Sequence, residues 1–363
     1  MVSYKIGFLV EQVAGHVTNY RNLRRVVERD SEVDATWNEI VYHKEGGAIE
    51  RLSFISSYAA GITRATWETY RALRRGAYGA LFCNTTVGVF FGRAFRKTPT
   101  LIDLDSTPLQ IDRMPAYQSS RDIAPMATLK WRLARDMFQS AALVQAWSRW
   151  AKDSAIDDYG VSPDRVVVNP PGVDLEFWRP NHGGPRPEHQ PIRILFVGGD
   201  FARKGGHVLL EWFRGQRRPD VELHIVTREP VEKRDGIFVY DDMQPNSAAL
   251  LGLFHRCDVF VLPSLGECFG IATVEAMGAG LPVIASDVGG TADIIQPGEN
   301  GFIVRANDAA SLGDAIEALI DDADKRHAMG LRSRQLAEER FDLQTNARRT
   351  IGYLKQIAQA AVS

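Results

Sequence analysis

Short apolar runs alternate with helix-length amphipathic stretches along the chain, stop, and then start again. Residues 5–10 read as a buried strand and residues 19–29 as a helix. Residues 80–82 and 100–104 read as further strands, and residues 128–151 as a long helical region of two helices. The β-branched run Val166, Val167, Val168 meets Asn169, Pro170, Pro171 and Gly172, which end a strand. From 179 to 191 the chain is polar, rich in Pro, Gly and His and without periodicity, as in a linker. The alternation restarts at 192–197. Strands follow over 222–226, 259–262 and 282–285, with helices over 208–213, 269–277 and 309–321. Residues 343–361 have amphipathic helical spacing. Such alternation builds βαβ units around a parallel sheet. Two runs of it in 363 residues predict an α/β chain of two Rossmann-like domains. Residues 1–165 make the first domain and 166–340 the second, with 341–363 as a helix packing back toward the first.

The charge balance narrows the partners. A formal net charge of −2 gives nucleic acid no general electrostatic foothold. Three sparse cysteines, Cys83, Cys257 and Cys268, without a C-x-x-C pair argue against a disulfide framework and for a reducing compartment. The first apolar run is too short for a signal-peptide core, and no stretch approaches the roughly 18 apolar residues of a membrane span. The expectation is a cytoplasmic protein with at most peripheral contact, at the inner membrane surface. Arg21, Arg24, Arg25, Arg71, Arg74, Arg75, Lys130, Trp131, Arg132 and Arg135 gather in the first half. They suit a solvated helix face, or a surface for acidic lipid or an anionic acceptor. Phe138, Trp147 and Trp150 fall at core spacings.

The densest motif runs from Leu262 to Val304. A strand ends at Leu262. Pro263, Ser264 and Gly266 make a turn, and a helix starts near Phe269. Its free backbone N–H groups point to the end of the sheet where ligands of open α/β folds bind. Glu267 lies just before this helix, and Glu275 about two turns inside it, where a carboxylate can accept hydrogen bonds from a polyol such as ribose. Gly280, Leu281 and Pro282 lead into the next strand, and Gly289, Gly290, Asn300 and Gly301 close the motif. The chain lacks G-x-G-x-x-G, G-x-x-x-x-G-K-[ST] and H-E-x-x-H, which disfavours a Rossmann oxidoreductase, a P-loop ATPase and a zinc protease.

Glu267 and Glu275 form the E-x7-E pattern, and the chain here resembles the retaining glycosyltransferases of group 1 (glycosyltransferase family 4). Val197 to Gly206 and the Pro171-Gly172-Val173-Asp174 entry to the linker extend the likeness, which is strong over about residues 160–345. The resemblance implies a GT-B fold, two Rossmann-like domains facing each other across a cleft that closes over the substrates, with the donor bound by the C-terminal domain. It implies that Glu275 holds the donor ribose and that Glu267 meets the hydroxyls of the transferred sugar. Backbone N–H groups at Phe269, Gly270 and Ile271 would support sugar and phosphate. Arg203 and Lys204 would neutralise the diphosphate as charge builds on it. The base would stack near Thr227 and the 240–243 stretch that ends at Met243. The donor would be a UDP- or GDP-linked sugar, used without a tightly bound cofactor or metal. The acceptor would be a lipid, a glycan or a small molecule.

The N-terminal half matches the class less closely. The loop 11–19, with Gly15 and His16, takes the place of the class's glycine pair facing the diphosphate, and His16 is a candidate for phosphate or acceptor contact. Members commonly carry a histidine after a later strand; this chain has Asp105 and Ser106 there, so Asp105 becomes the candidate sugar or acceptor contact. Asp103-Leu104-Asp105 also spells D-x-D, a metal motif of another glycosyltransferase fold, which the basic Arg203-Lys204 pair makes unnecessary. Gly199 stands where members often have arginine. The resemblance implies transfer with retention and without an enzymic nucleophile, the leaving phosphate taking the acceptor proton on the same face. A nucleotide-sugar epimerase of the same fold and a non-catalytic sugar-nucleotide binder are the alternatives.

Overall fold

The computed structural model describes residues 3–47, 49–51, 56–117, 124–181, 191–216, 218–232 and 234–360. The chain divides into two compact units. One takes the chain up to Arg113, the later stretch ending at Gly172, and the helix from Leu343; the other takes Val173–Asp342 and the short segment around Pro115–Tyr117.

The first unit runs β1 (Tyr4–Glu11), α1 (Ala14–Val27), β2 (Val33–Ile40), α2 (Ser57–Arg75), β3 (Ala80–Asn84), α3 (Gly92–Lys97), β4 (Thr100–Leu104), α4 (Pro108–Arg113), α5 (Ala124–Ser140), β5 (Leu143–Ala146), α6 (Arg149–Asp157) and β6 (Val166–Val168). Its six strands are all parallel, in the order β2-β1-β3-β4-β5-β6. Strands buried on both faces are rich in apolar residues, as β3 and β4 are, every residue of both being buried. The second unit runs β7 (Ile192–Val197), α7 (Gly206–Gly215), β8 (Val221–Val226), β9 (Ile237–Tyr240), α8 (Ala248–Phe254), β10 (Val259–Leu262), α9 (Ile271–Gly278), β11 (Val283–Ser286), α10 (Thr291–Ile294), β12 (Gly301–Val304), α11 (Ala309–Ile320) and α12 (Ala323–Arg340). Its sheet is parallel too, in the order β12-β11-β10-β7-β8-β9.

The last helix, α13 (Leu343–Ala360), belongs to the first unit. It buries Leu343, Ala347, Ile351, Leu354 and Ala358 beside Ile6, Phe8, Phe82 and Leu101 on the face it shares with α1. These positions fall three or four apart, one stripe of a helix. Asn169 fastens the end of β6 to α13 by donating to the Asn346 carbonyl and to Thr350 Oγ1, both at 3.0 Å. The opposite face of the sheet packs a second cluster around Leu81, Ile102, Phe138 and Val144.

Local structure corrects the sequence-based elements in three places. The region 128–151 holds two helices with strand β5 between them; a four-residue strand is too short to break helical spacing visibly. Helix α1 begins at Ala14, so Gly15 and His16 lie in its first turn and not in a long loop. Helix α9 begins at Ile271 because Gly270 sits at φ +87, a left-handed conformation that a right-handed helix excludes. Most of the expected linker, residues 182–190, lies outside the described residues. All three cysteines are free and buried.

Candidate active site

In the second unit, β7 and β10 are neighbours although their chain connections leave in opposite directions, β8 to one side and β11 to the other. Ligands of doubly wound sheets bind at such a switch point, beyond the carboxyl ends of the strands. The loop after β7 carries Arg203 and Lys204; the loop after β10 carries Glu267. They meet there: Lys204 Nζ is ion-paired with Glu267 Oε2, and Arg203 Nη1 donates to the Gly266 carbonyl at 2.9 Å. Arg203 also donates to Asp200 (2.9 Å) and to the Tyr117 hydroxyl (3.0 Å), and its guanidinium lies 5.0 Å from the Tyr117 ring centre. Both cations thus stand at the turn, Lys204 against Glu267 and Arg203 against Asp200, Tyr117 and the Gly266 carbonyl.

Two glycines let the loops close this tightly. A Cβ on Gly205 would sit 1.8 Å from the Pro263 carbonyl oxygen, and one on Gly289 would sit 1.9 Å from that of Glu267. Backbone bonds seal the joint: Leu265 N–H to the Arg203 carbonyl (2.8 Å) and Gly290 N–H to the Cys268 carbonyl (2.9 Å). Phe269 is buried, Gly270 turns the chain, and Ile271 opens α9, so the first N–H groups of the helix face the space beside Glu267.

Glu275 lies one turn further along α9, 7% exposed. Burial alone pushes its carboxyl up to about 8, and it has no hydrogen-bond or ion-pair partner among the described residues. A buried carboxyl is normally paired or hydrogen-bonded; this one has a structural reason to be there only if something else supplies the donors. Thr227 is buried at the end of β8, and its N–H bonds to the Tyr240 carbonyl (3.1 Å) at the end of β9. Met243 is half-buried just beyond. The strand order therefore places Glu267, Lys204, Thr227 and the Tyr240–Met243 stretch on successive loops along one rim.

The first unit repeats the arrangement with different chemistry. Its switch point lies between β1 and β3. His16 sits across it, with Nδ1 2.6 Å from Asn84 Oδ1 and 3.2 Å from Glu11 Oε1, and Nε2 3.1 Å from Asp105 Oδ2. The Trp147 ring lies 5.3 Å away. Acceptors face both ring nitrogens, which requires both to carry hydrogen. Burial by itself would lower the His16 pKa; the charge and hydrogen bond of Asp105, then Glu11 and Asn84, override it and raise it to about 10. His16 is thus a fixed imidazolium. Asp105 is in turn bonded by Ser106 Oγ (2.9 Å). Asp103 points elsewhere, accepting from Asn84 Nδ2 (2.9 Å) and Gln145 Nε2 (2.8 Å), so the two carboxylates of the D-x-D tripeptide have separate partners. Burial holds Asp103 up at about 6 against the pull of those donors and of His16.

The structure thus gathers Arg203, Lys204, Glu267, Phe269, Gly270, Ile271 and Glu275 at one switch point, with Thr227 and Met243 along the same rim. It gathers Gly15, His16 and Asp105 at the other. Glu11, Asn84 and Tyr117 escaped the sequence reasoning. Glu11 and Asn84 are the last residues of apolar strands, where ligand-facing groups of α/β sheets stand, and that position was the available signal. Tyr117 had none.

These features coincide with what the chain is similar to. The model for group 1 glycosyl transferases matches residues 181–336, and that for glycosyltransferase family 4 matches residues 46–177. Each half of the chain is thus similar to a domain of glycosyltransferases of group 1 and family 4 type, and the two parallel sheets are those of the GT-B fold. An MMP alpha-(1->4)-mannosyltransferase of Mycolicibacterium hassiacum is 27% identical over 340 residues, 86% of this chain and 80% of the relative. A D-inositol 3-phosphate glycosyltransferase of Pseudarthrobacter chlorophenolicus is 34% identical over 198 residues, 48% of this chain and 46% of the relative. The chain spans about half the length of the D-inositol 3-phosphate glycosyltransferases it matches. The fold is that of sucrose-phosphate synthase from Thermosynechococcus elongatus, with a TM-score of 0.80 at 18% identity over 98% of this chain and 100% of the other. Anabaena HepE in complex with UDP-glucose gives a TM-score of 0.67 at 18% identity over 97% and 100%.

Proposed function

We propose that this protein transfers a sugar from a nucleoside-diphosphate donor to an acceptor hydroxyl, with retention at the anomeric carbon. The observation that carries the reading is Glu275, a buried carboxyl without a partner on the helix that leaves the switch point. The two hydroxyls of a ribose supply the missing donors. The remaining groups fit the rest of such a donor. Lys204 and the N-terminal N–H groups of α9 meet the diphosphate, and Glu267 accepts from hydroxyls of the transferred sugar. As the bond from the anomeric carbon to phosphate oxygen breaks, negative charge grows on the leaving diphosphate. A preplaced ammonium and helix dipole stabilise it without reorganising. A UDP-glucose complex of a protein sharing the fold supports a nucleotide sugar as the ligand class.

Two side chains of the first unit serve the acceptor in this reading. Asp105, held by His16 and Ser106, accepts a hydrogen bond from the attacking hydroxyl or a neighbour of it. His16, unable to give up its proton near neutrality, acts as a fixed positive charge and not as a base.

A thermal-shift screen against nucleoside diphosphates and sugar nucleotides tests the binding half, since ligand raises the melting temperature by mass action. A diphosphate should raise it, and Glu275→Ala should weaken the effect. No shift with any nucleotide refutes the reading. Turnover is then followed by NMR, where the first product should keep the donor's anomeric configuration; conversion of the sugar nucleotide without acceptor would instead reveal an epimerase.

A further inference from the structure

Eleven large apolar side chains stand exposed among the described residues, and six of them lie on neighbouring helical elements of the first unit. Tyr58, Trp67 and Tyr70 are on α2, Phe90 ends the short helical turn Thr86–Phe90, and Met126 and Leu129 open α5. The Thr86–Phe90 turn packs against both α2 and α5, and α3 packs on α5, so these elements are neighbours. Trp67 is 52% exposed with its ring stacked on Tyr70, at 5.7 Å between centres. The first seven residues of α5, 124–130, are all exposed, which leaves Met126 and Leu129 uncovered.

The same layer is strongly basic. Three exposed arginines lie on α2, three basic residues on α3 and three on α5, against Glu68 and Asp136 on these helices; the fourth arginine of α2, Arg64, is buried and paired with Glu50. Glu68 is already engaged, accepting the Val41 N–H at 3.1 Å, and Asp136 is paired with Arg96 at 2.8 Å. In a chain of net charge −2 this is a marked segregation. Arg74 caps the aromatic pair, donating to Tyr70 Oη at 2.8 Å.

We propose that the α2–α3–α5 face seats the protein on an anionic lipid bilayer. Trp and Tyr lodge at headgroup depth, Met126 and Leu129 enter the acyl boundary, and the arginines meet lipid phosphates. The combination selects this occupant. A second copy presenting the same face would be repelled by its like charge, and a nucleic acid would leave Met126 and Leu129 in water. The proposal does not depend on the reaction assigned above.

Flotation with vesicles tests it, using phosphatidylcholine alone and an equimolar mixture with phosphatidylglycerol. The full chain should float with the mixed vesicles and not the neutral ones, and high salt should release it. Arg74→Gln with Arg75→Gln should weaken binding roughly 30-fold, at about fivefold per arginine. Trp67→Ser with Leu129→Ser should weaken it about tenfold. All four side chains point outward, so nucleoside-diphosphate binding and melting temperature should hold. Bromolipid should quench the wild-type fluorescence, and Trp67→Phe, which keeps a ring, should remove most of the quenching. No flotation with mixed vesicles, or variants that float like wild type, overturns the proposal. So does a dimer in sedimentation, or binding to RNA, without vesicle binding.

Discussion

Replacing Glu275 by glutamine separates what the residue does for ligand from what it does to the fold. An unfolded glutamate ionises around 4.5; in the folded protein, burial holds the group protonated up to about 8. Between those values the folded state keeps a proton that the unfolded chain releases, so stability falls as pH rises through the window and stays low above it. Each pH unit costs about 1.4 kcal/mol, which makes the ionised carboxyl a burden of up to about 5 kcal/mol above pH 8. Glutamine has the same shape and no charge to lose. Urea denaturation should therefore show Glu275→Gln exceeding wild type by a few kcal/mol at pH 8.5, with the two converging toward pH 5. A gain of this kind from a point substitution is unusual. If Glu275→Gln is no more stable at pH 8.5, the carboxylate has a partner in the free protein and the argument from its isolation fails.

Ligand should reverse the sign. Ribose hydroxyls donate to an ionised carboxylate more strongly than to a neutral group, so nucleotide binding pulls the Glu275 pKa down and expels its proton. Calorimetry at pH 7 in two buffers of different ionisation heat should record release of most of one proton by wild type and none by Glu275→Gln. Affinity for the diphosphate should rise with pH up to about 8 in wild type alone. The variant loses a charge-assisted bond of about 1.5–3 kcal/mol, a weakening on the order of tenfold to a hundredfold. Stabler but weaker-binding is the pattern of a residue kept for function.

Lys204→Met should lower kcat by about 100-fold or more, since it deletes the cation facing the leaving group, while nucleoside affinity through Glu275 changes far less; equal losses in both would place Lys204 outside the reaction. The His16 ring signal in NMR should stay that of an imidazolium from pH 5 to 8.5, because its folded pKa of about 10 lies above the ordinary 6.5. The stability it lends is full below 6.5 and is lost as pH rises through about 10; titration near 6.5 would refute the pairing with Asp105 and Glu11. Leu354→Ala, at a fully buried position of α13, should destabilise the first unit by about 2–5 kcal/mol in urea unfolding; a loss under about 1 kcal/mol would mean that α13 does little to cover the sheet.

Much of this was legible before any coordinates. Apolar runs mark strands that are buried on both faces, and the Pro263–Gly270 turn marks its own strand end and helix start. Glu267 and Glu275 stand out because the surrounding motif is dense. The misses share a cause. Strand β5 vanished between two helices because four residues, Leu143–Ala146, fit either period. The partners of His16 come from β1, β3 and the loop after β4, separated by up to 89 residues, and only strand order brings them together. Lys204 and Glu267, 63 residues apart, were readable singly but not as a pair for the same reason. Spacing reports what one helix or turn can do; it carries nothing about which loops share a rim.

The absence of a histidine after β4 shows what that limitation costs. Judged by position, Asp105 replaces a cationic or neutral group by an acid, and the first unit looks impoverished. In three dimensions the imidazole has another source. His16 rises from the first turn of α1, crosses the β1–β3 switch point and places Nε2 against Asp105. A cation at a helix N-terminus opposes the helix dipole, so Glu11, Asn84 and Asp105 must all face it to keep it charged, and they do. The requirement runs from the chemistry to the sequence. If an imidazolium is needed at that rim and the loop after β4 carries an acid, then the strand ends on either side must supply acceptors. The invariant quantity is the charge held at the rim. His16→Lys should therefore retain more transfer activity than His16→Gln or His16→Ala, with the remaining rate tracking charge and not ring shape. Equal losses in all three variants would show that the imidazole's geometry, and not its charge, is what this site uses.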